Sequence, residues 1–195
     1  MPDRTRAVLI RHGETEWSKA GRHTSYTDID LTDNGRAEAA ALAPVLAHFT
    51  FARVFVSPMR RSAETARLAG CGNYEVLDDL REWNYGEYEG ITTAKIRETV
   101  PGWTVFTHAA PGGETLDEVA TRIDRVIAQV RAVDGDIAVF GHAHALRVFG
   151  VRWCDLPPID ARHFRLGPAS VSVCAYERAV PALGLWNWRP DPDPG

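Results

Sequence analysis

Ala7-Val8-Leu9-Ile10 runs straight into Arg11-His12-Gly13-Glu14-Thr15, and this junction decides how the rest of the chain is read. A short buried strand that ends in Arg-His-Gly carries a guanidinium and an imidazole to its carboxyl end. Open α/β sheets bind their ligands at that rim. Glycine beside the pair lets a bulky group come close to the backbone. The arginine fork fits a phosphate, and histidine can attack phosphorus or relay a proton. The tripeptide therefore suits phosphoryl transfer through a histidine nucleophile. A surface Arg-His pair in a turn fits it equally well, and the rest of the chain must separate the two.

Three further segments supply the parts of a phosphate pocket. Ser57-Pro58-Met59-Arg60-Arg61 follows the apolar run Val54-Phe55-Val56 and leads into Ser62-Ala63-Glu64-Thr65-Ala66. Ser57 and Pro58 read as an N-cap and first helical residue. An arginine in that first turn lies beside a helix N-terminus, a natural anion site. Gly141-His142-Ala143-His144 follows Ile137-Ala138-Val139-Phe140 and is a second strand end carrying histidine. Leu80-Arg81-Glu82-Trp83-Asn84-Tyr85-Gly86-Glu87 sets carboxylates among aromatics, and a carboxyl shielded by Trp83 and Tyr85 suits general-acid work.

Composition sets the bounds. The chain has 195 residues, enough for one domain with a sizeable core, and a net charge of −4. That balance argues against nucleic acid, which calls for a basic face. Cations gathered at strand ends in a mildly acidic chain point to a small anionic ligand. The three cysteines (Cys71, Cys154, Cys174) lack ligand spacing and read as buried or half-buried thiols. His142-x-His144 has the spacing of a metal pair on a strand, yet no further ligand cluster accompanies it, so neither metal nor cofactor is expected. Residues 1–5 are polar and no segment approaches a membrane span, so no leader or membrane anchor is expected and the reading is cytoplasmic.

Strands are expected at 6–11, 52–57, 74–77, 136–141, 170–176 and 182–188. Helices are expected from about 31 to 48 with Thr32 or Asp33 as cap, at 58–69, 92–100 and 143–153, and after a Thr115/Glu118 capping box. Pro44 is awkward inside the first of these. The long loop 13–30 is read as functional. This alternation predicts an α/β fold: a three-layer α/β/α sandwich on a mainly parallel sheet, with an antiparallel edge from the closely spaced last two strands. Residues 1–189 are read as one domain and 190–195, alternating Asp and Pro, as a flexible tail. His23, His48, His108 and His163 read as surface or satisfied histidines, and Trp17, Trp83 and Tyr85 as pocket-lining aromatics.

Together these motifs closely resemble the histidine phosphatase superfamily, in the branch that includes the cofactor-dependent phosphoglycerate mutases. The resemblance runs from about residue 6 to about residue 150. It implies that His12 is the nucleophile and becomes phosphohistidine. It implies that Arg11, Arg61 and His142 hold the phosphoryl oxygens, and that Glu82 gives a proton to the leaving oxygen. Arg61 is preferred to Arg60 because the family arginine lies four residues after the serine and four before the threonine, as Arg61 does between Ser57 and Thr65. Two arginines and a second, protonated histidine offset the charge of a phosphate monoester. Tyr85 and His144 are the expected substrate contacts, with Ser18, Thr24 and Ser25 on the loop, and Arg81 and Arg22 for a second anion.

Three positions depart from the family pattern: Ser18 where many members have asparagine, Ser25 where the mutases have glycine, and Ala143 where glycine is usual. None removes a charged group. The mutases carry an arginine pair and a lysine on an insertion after the general-acid segment, and this chain has no Lys or Arg between Glu98 and Thr121. Hydrolysis is therefore expected over mutase-type transfer. Within the phosphatases the motifs resemble the sedoheptulose bisphosphatases and the broad-specificity acid phosphatases of mycobacterial type. The implied partner is a small phosphorylated metabolite such as a sugar phosphate. A non-catalytic phospho-ligand binder is the remaining alternative, and it would be expected to have lost His12 or Glu82.

Overall fold

A computed structural model describes residues 5–190. Residues 191–195 of the expected tail lie outside the described residues. In chain order the elements are β1 (Arg6–Arg11), α1 (Glu16–Lys19), α2 (Asp33–Ala41), α3 (Ala43–Leu46), β2 (Phe51–Val56), α4 (Arg60–Leu68) and β3 (Glu75–Val76). They continue with α5 (Thr93–Arg97), α6 (Leu116–Arg131), β4 (Asp136–Gly141), α7 (Ala143–Trp153), β5 (Val171–Glu177) and β6 (Val180–Trp188). One sheet of six strands runs in the order β3-β2-β4-β1-β5-β6. The first three pairings are parallel, while β5 is antiparallel to both β1 and β6.

Strand alternation sorts the core into two layers. Ala7 and Leu9 of β1 pack with Ile137 and Val139 of β4 against Val119, Ile123 and Val126 of α6 and Leu146 and Phe149 of α7. Val8 and Ile10 face the other way, with Ala138 and Phe140, against Leu42, Leu46 and Ala66 of the α2–α4 side. Residues Ala7 to Ile10 are fully buried, which is why the run is apolar at every position rather than alternating. The result is the three-layer α/β/α sandwich with its antiparallel edge pair.

The helix expected from 31 to 48 is broken. Thr32 caps it, accepting from Gly35 N at 2.9 Å, but α2 ends at Ala41 and α3 restarts with Pro44 in its first turn. Proline has no N–H to continue the ladder and is at home only in a first turn, so the chain restarts there. The loop after β1 holds the one-turn α1, closed by a reciprocal Thr15/Ser18 cap. Gly13 lies on the backbone of α2's first turn. A Cβ on Gly13 would fall 2.3 Å from Gly35 O, so this glycine is needed for packing.

Arg122 of α6 reaches across to the segment that carries Glu82. It donates to the carbonyls of Asp79 and Arg81, each at 2.8 Å, and pairs with Glu114 at 2.8 and 3.0 Å. Glu114 in turn accepts from Asn84 N at 2.8 Å, and its own carbonyl accepts from Trp83 Nε1 at 2.8 Å. This mostly buried pair clamps residues on both sides of Glu82. Arg122→Met removes the cation paired with Glu114 and leaves two carbonyls without their donor. We expect a loss of roughly 3 kcal/mol in urea unfolding, and a loss below about 0.5 kcal/mol would show that the clamp carries little.

Candidate active site

The carboxyl ends of β1, β2 and β4 are joined by backbone bonds: His12 N donates to Gly141 O at 3.1 Å and Ser57 N to Phe140 O at 3.0 Å. This brings the three motif segments to one rim. Thr65 of α4 ties them further, since its Oγ1 accepts from Gly13 N at 3.1 Å and donates to Arg61 O at 2.7 Å. A cavity of about 340 Å³ opens here, lined by Arg11, His12, Glu82, Tyr85, His144 and neighbours from the α1 loop.

His12 is 5 % exposed. Its Nδ1 lies 2.7 Å from Gly13 O, and a carbonyl only accepts, so Nδ1 carries the hydrogen and Nε2 keeps its lone pair. Burial, then the charges of Arg61 and Arg11, hold this imidazole well below the usual histidine range, so it is neutral at physiological pH. The His142 ring stands edge-on to it, 5.1 Å away between centroids.

The two arginines are held by carbonyls rather than by carboxylates. Arg61 is fully buried, donating to Ser25 O at 2.9 Å and Thr27 O at 3.1 Å, and Arg11 donates to Leu166 O. The Nε atoms of both, and Nδ1 of His142, are buried without a protein partner. Burial lowers the Arg11 guanidinium to about 10, and Arg11 still stays charged near neutral pH. Burial likewise lowers Arg61.

The protonated His142 expected from sequence is corrected by its surroundings. Burial first, then Arg61, His12 and Arg11, hold it well below the histidine range, so it is neutral here. Its Nε2 is 2.7 Å from Ser57 Oγ, which is also the correction to Ser57. That serine does not cap α4, whose N-cap is Met59 with no side-chain bond. Its hydroxyl is spent on the imidazole instead.

Glu82 sits at the N-terminus of α7. Oε1 accepts from Trp83 N and Ala145 N at 2.9 Å each, and Oε2 accepts from His144 N at 3.0 Å. It does for α7 what His142, without a side-chain cap, does not. Apolar shielding is only part of its setting, because Trp83 is fully buried in the core and does not line the cavity. The Tyr85 hydroxyl bonds His144 Nδ1. Burial, with Glu82 nearby, raises the Tyr85 phenol well above its usual value, and burial holds His144 neutral. The phenol keeps its proton and the imidazole is neutral, so the His144 tautomer decides which of the two donates.

Of the other expected contacts, Thr24 and Ser18 line the cavity, although Ser18 Oγ is engaged in the α1 cap. Ser25 and Arg81 do not line it, and neither do Arg61 and His142, which are fully buried beneath it. The Ser25 hydroxyl donates to Glu89 at 2.8 Å, and Arg81 turns to Asp78 and the Met59 sulfur. Sequence reasoning missed Arg147 and Arg165; His23, read as a surface or satisfied histidine, is a satisfied one, 9 % exposed and 3.2 Å from Thr93 Oγ1, and it also lines the cavity. Arg147 lay within His-Ala-His-Ala-Leu-Arg; nothing local marked Arg165. Among the described residues no group of three or more His, Cys, Asp or Glu is placed to hold a metal ion, and no helix is long and apolar enough to cross a membrane.

The family model described as the histidine phosphatase superfamily (branch 1) matches residues 7–189. The chain belongs to this superfamily. It is 39 % identical to an acid phosphatase of Mycobacterium tuberculosis, over 97 % of this chain and 95 % of the relative. It is 33 % identical to the sedoheptulose 1,7-bisphosphatase of Saccharomyces cerevisiae, over 80 % of this chain and 70 % of the relative. A functionally characterised Mycobacterium tuberculosis protein of solved structure superposes with a TM-score of 0.93 at 38 % identity, covering 96 % of this chain and 99 % of the other. The six-stranded, mostly parallel sheet with its antiparallel edge pair is the histidine phosphatase α/β fold.

The buried imidazoles carry a stability consequence. His23 titrates at about 4 in the folded chain because burial disfavours its charge, against 6.5 when free. His12, His142 and His144 shift in the same direction. Below pH 6.5 the unfolded chain binds protons that the folded chain refuses, so stability falls as pH drops from 6.5 towards 4. Urea midpoints measured across that window should decline, and His23→Gln should make the decline shallower. An unchanged slope in the variant would contradict the burial account.

Proposed function

We propose that the protein is a metal-independent phosphatase that hydrolyses small phosphate monoesters, sugar phosphates among them, through a phosphohistidine on His12. That it is a phosphatase follows from its superfamily and from relatives named as phosphatases. The mechanistic reading rests above all on one observation. A neutral imidazole, with Nδ1–H fixed on Gly13 O and Nε2 free, stands beside two arginines that have no carboxylate partner.

In this reading Arg11 and Arg61 take the phosphoryl oxygens, supplying the charge that a dianionic ester needs. His142 contributes a neutral N–H donor, with Ser57 at its other nitrogen setting the tautomer. His12 Nε2 attacks phosphorus in line, the P–O ester bond breaks, and Glu82 gives its proton to the departing oxygen. Glu82, now a carboxylate, takes a proton from water as that water attacks phosphorus. The P–N bond breaks, and phosphate leaves with His12 restored. His144, Tyr85 and Thr24 face the alcohol portion, with His144 Nε2 as the hydrogen-bond partner of a substrate hydroxyl. Residues 1–189 act as one catalytic domain on a cytoplasmic metabolite. Hydrolysis is favoured over mutase transfer because residues 99–120 bring no Lys or Arg over the site.

Leaving-group dependence tests the Glu82 role. Glu82→Gln should cut kcat on glycerol or sugar phosphates by about 10³-fold, as expected for loss of a general acid. p-Nitrophenyl phosphate, whose phenolate leaves without a proton, should lose far less. His12→Ala should abolish turnover of both, to below roughly 10⁻⁴ of the parent rate. Equal losses on both esters in Glu82→Gln, or retained turnover in His12→Ala, would overturn the mechanism.

A further inference from the structure

Glu82, Glu87 and Glu89 stand within one short segment, and the proposed hydrolysis gives a task to Glu82 alone. Glu87 is exposed. Glu89 is half-buried and receives the loop that follows α1. Its Oε1 accepts from Ser25 N at 3.1 Å and Thr27 N at 2.6 Å, and its Oε2 accepts from Ser25 Oγ at 2.8 Å. Burial pushes this carboxyl up, but the Thr27 and Ser25 donors outweigh it and hold Glu89 below the usual carboxylate range. At neutral pH both of its oxygens are therefore acceptors.

The same two loop residues hold Arg61. Ser25 and Thr27 give their N–H groups to Glu89 and their carbonyls to the Arg61 guanidinium, at 2.9 and 3.1 Å. The stretch 25–27 thus lies between a carboxylate and a buried cation. The loop is tied on either side of this stretch. Upstream, His23 N donates to Ile91 O at 3.0 Å and Gly90 N to His23 O at 2.8 Å. Downstream, the Asp28 carboxylate accepts from Arg60 N at 2.9 Å and Arg60 Nε at 3.1 Å. Neither tie reaches the N–H groups of Ser25 and Thr27, which Glu89 takes.

We propose that Glu89 is a positioning residue for Arg61: by fixing the N–H groups of Ser25 and Thr27 it aims their carbonyls at the guanidinium and sets where that cation lies beneath the cavity. The proposal rests on the reading of Arg61 as a clamp on the transferring phosphoryl group. Glu89 does not line the cavity, and its effect passes through the two loop residues. Arg61 is held by carbonyls rather than by a carboxylate, so it is only as well placed as the loop that carries them. The task calls for the reach of this side chain more than for its charge. A glutamine offers the two N–H groups a carbonyl oxygen, and its amide can donate to Ser25 Oγ. An aspartate keeps the charge and is one methylene too short.

A double-mutant cycle on the full chain tests it, with p-nitrophenyl phosphate as substrate. Glu89→Ala and Glu89→Asp should each lower kcat/KM by roughly 10- to 100-fold, the scale of a misplaced binding group. Glu89→Gln should stay within about threefold of the parent. In an Arg61→Gln background the loss from Glu89→Ala should shrink to less than about twofold, because the residue it acts through is gone. A full-sized loss in that background would assign the effect to the loop at large, and an equal loss in Glu89→Gln and Glu89→Ala would assign it to charge. Either result overturns the proposal, as does parent activity in Glu89→Ala. If Glu89→Ala does not fold, the Asp and Gln variants make the same comparison in both backgrounds. No turnover by the parent would overturn the phosphatase reading instead. Calorimetric binding of inorganic phosphate then decides the role of Glu89: affinity weakened about tenfold by Asp and kept by Gln supports it, and unchanged affinity contradicts it.

Discussion

Two guanidinium groups buried against backbone carbonyls, with no carboxylate given to them, are the constraint on which this site depends. Placing Arg11 and Arg61 there costs the fold desolvation that Leu166 O, Ser25 O and Thr27 O only partly offset. Their field has two effects. It helps keep His12 and His142 neutral, and it leaves a positive centre that a phosphoryl dianion can match. A carboxylate partner for either arginine would stabilise the empty protein and remove both effects. Stability is given up at the rim of the sheet, and a neutral imidazole stands there among cations.

The remaining architecture holds that rim in place. Parallel pairing of β1, β2 and β4 brings three strand ends together, and Thr65 and Gly13 link the helix carrying Arg61 to the loop carrying His12. The amides at the start of α7 hold the Glu82 carboxyl, and the Arg122–Glu114 pair fixes its segment from behind. Glu82 and His12 therefore sit on separate, independently braced pieces of chain. The proposed two-step hydrolysis needs that arrangement, because Glu82 must serve the leaving oxygen first and water second while His12 stays still.

Much of this was legible in the sequence. A fully apolar strand run has few other uses, so β1 and β4 fall on the residues expected for them. The Thr115/Glu118 box begins α6 as read, since both reciprocal bonds are local. What escaped depends on tertiary contacts. Ser57 looks like a cap until a histidine 85 positions later takes its hydroxyl. Arg81 and Ser25 look like ligand groups until Asp78 and Glu89 claim them. Arg165 has no local pattern at all, because its place is set by Trp186 and by the strand pairing that follows. His142 was assigned a charge that its burial removes. Residue type and spacing name the groups a site needs; partners arriving from elsewhere in the fold decide which of them are free to act.

The tautomer of His12 offers the most direct test of the whole account. With Nδ1–H committed to Gly13 O, phosphorus has one nitrogen available to it. Phosphorus NMR on enzyme quenched with alkali during turnover, with the labelled peptide located by mass spectrometry, reads both the residue and the ring position. The account predicts a phosphoramidate on Nε2 of His12. Phosphate on Nδ1, on His142 or His144, or no phosphoenzyme under conditions of rapid turnover, would contradict it.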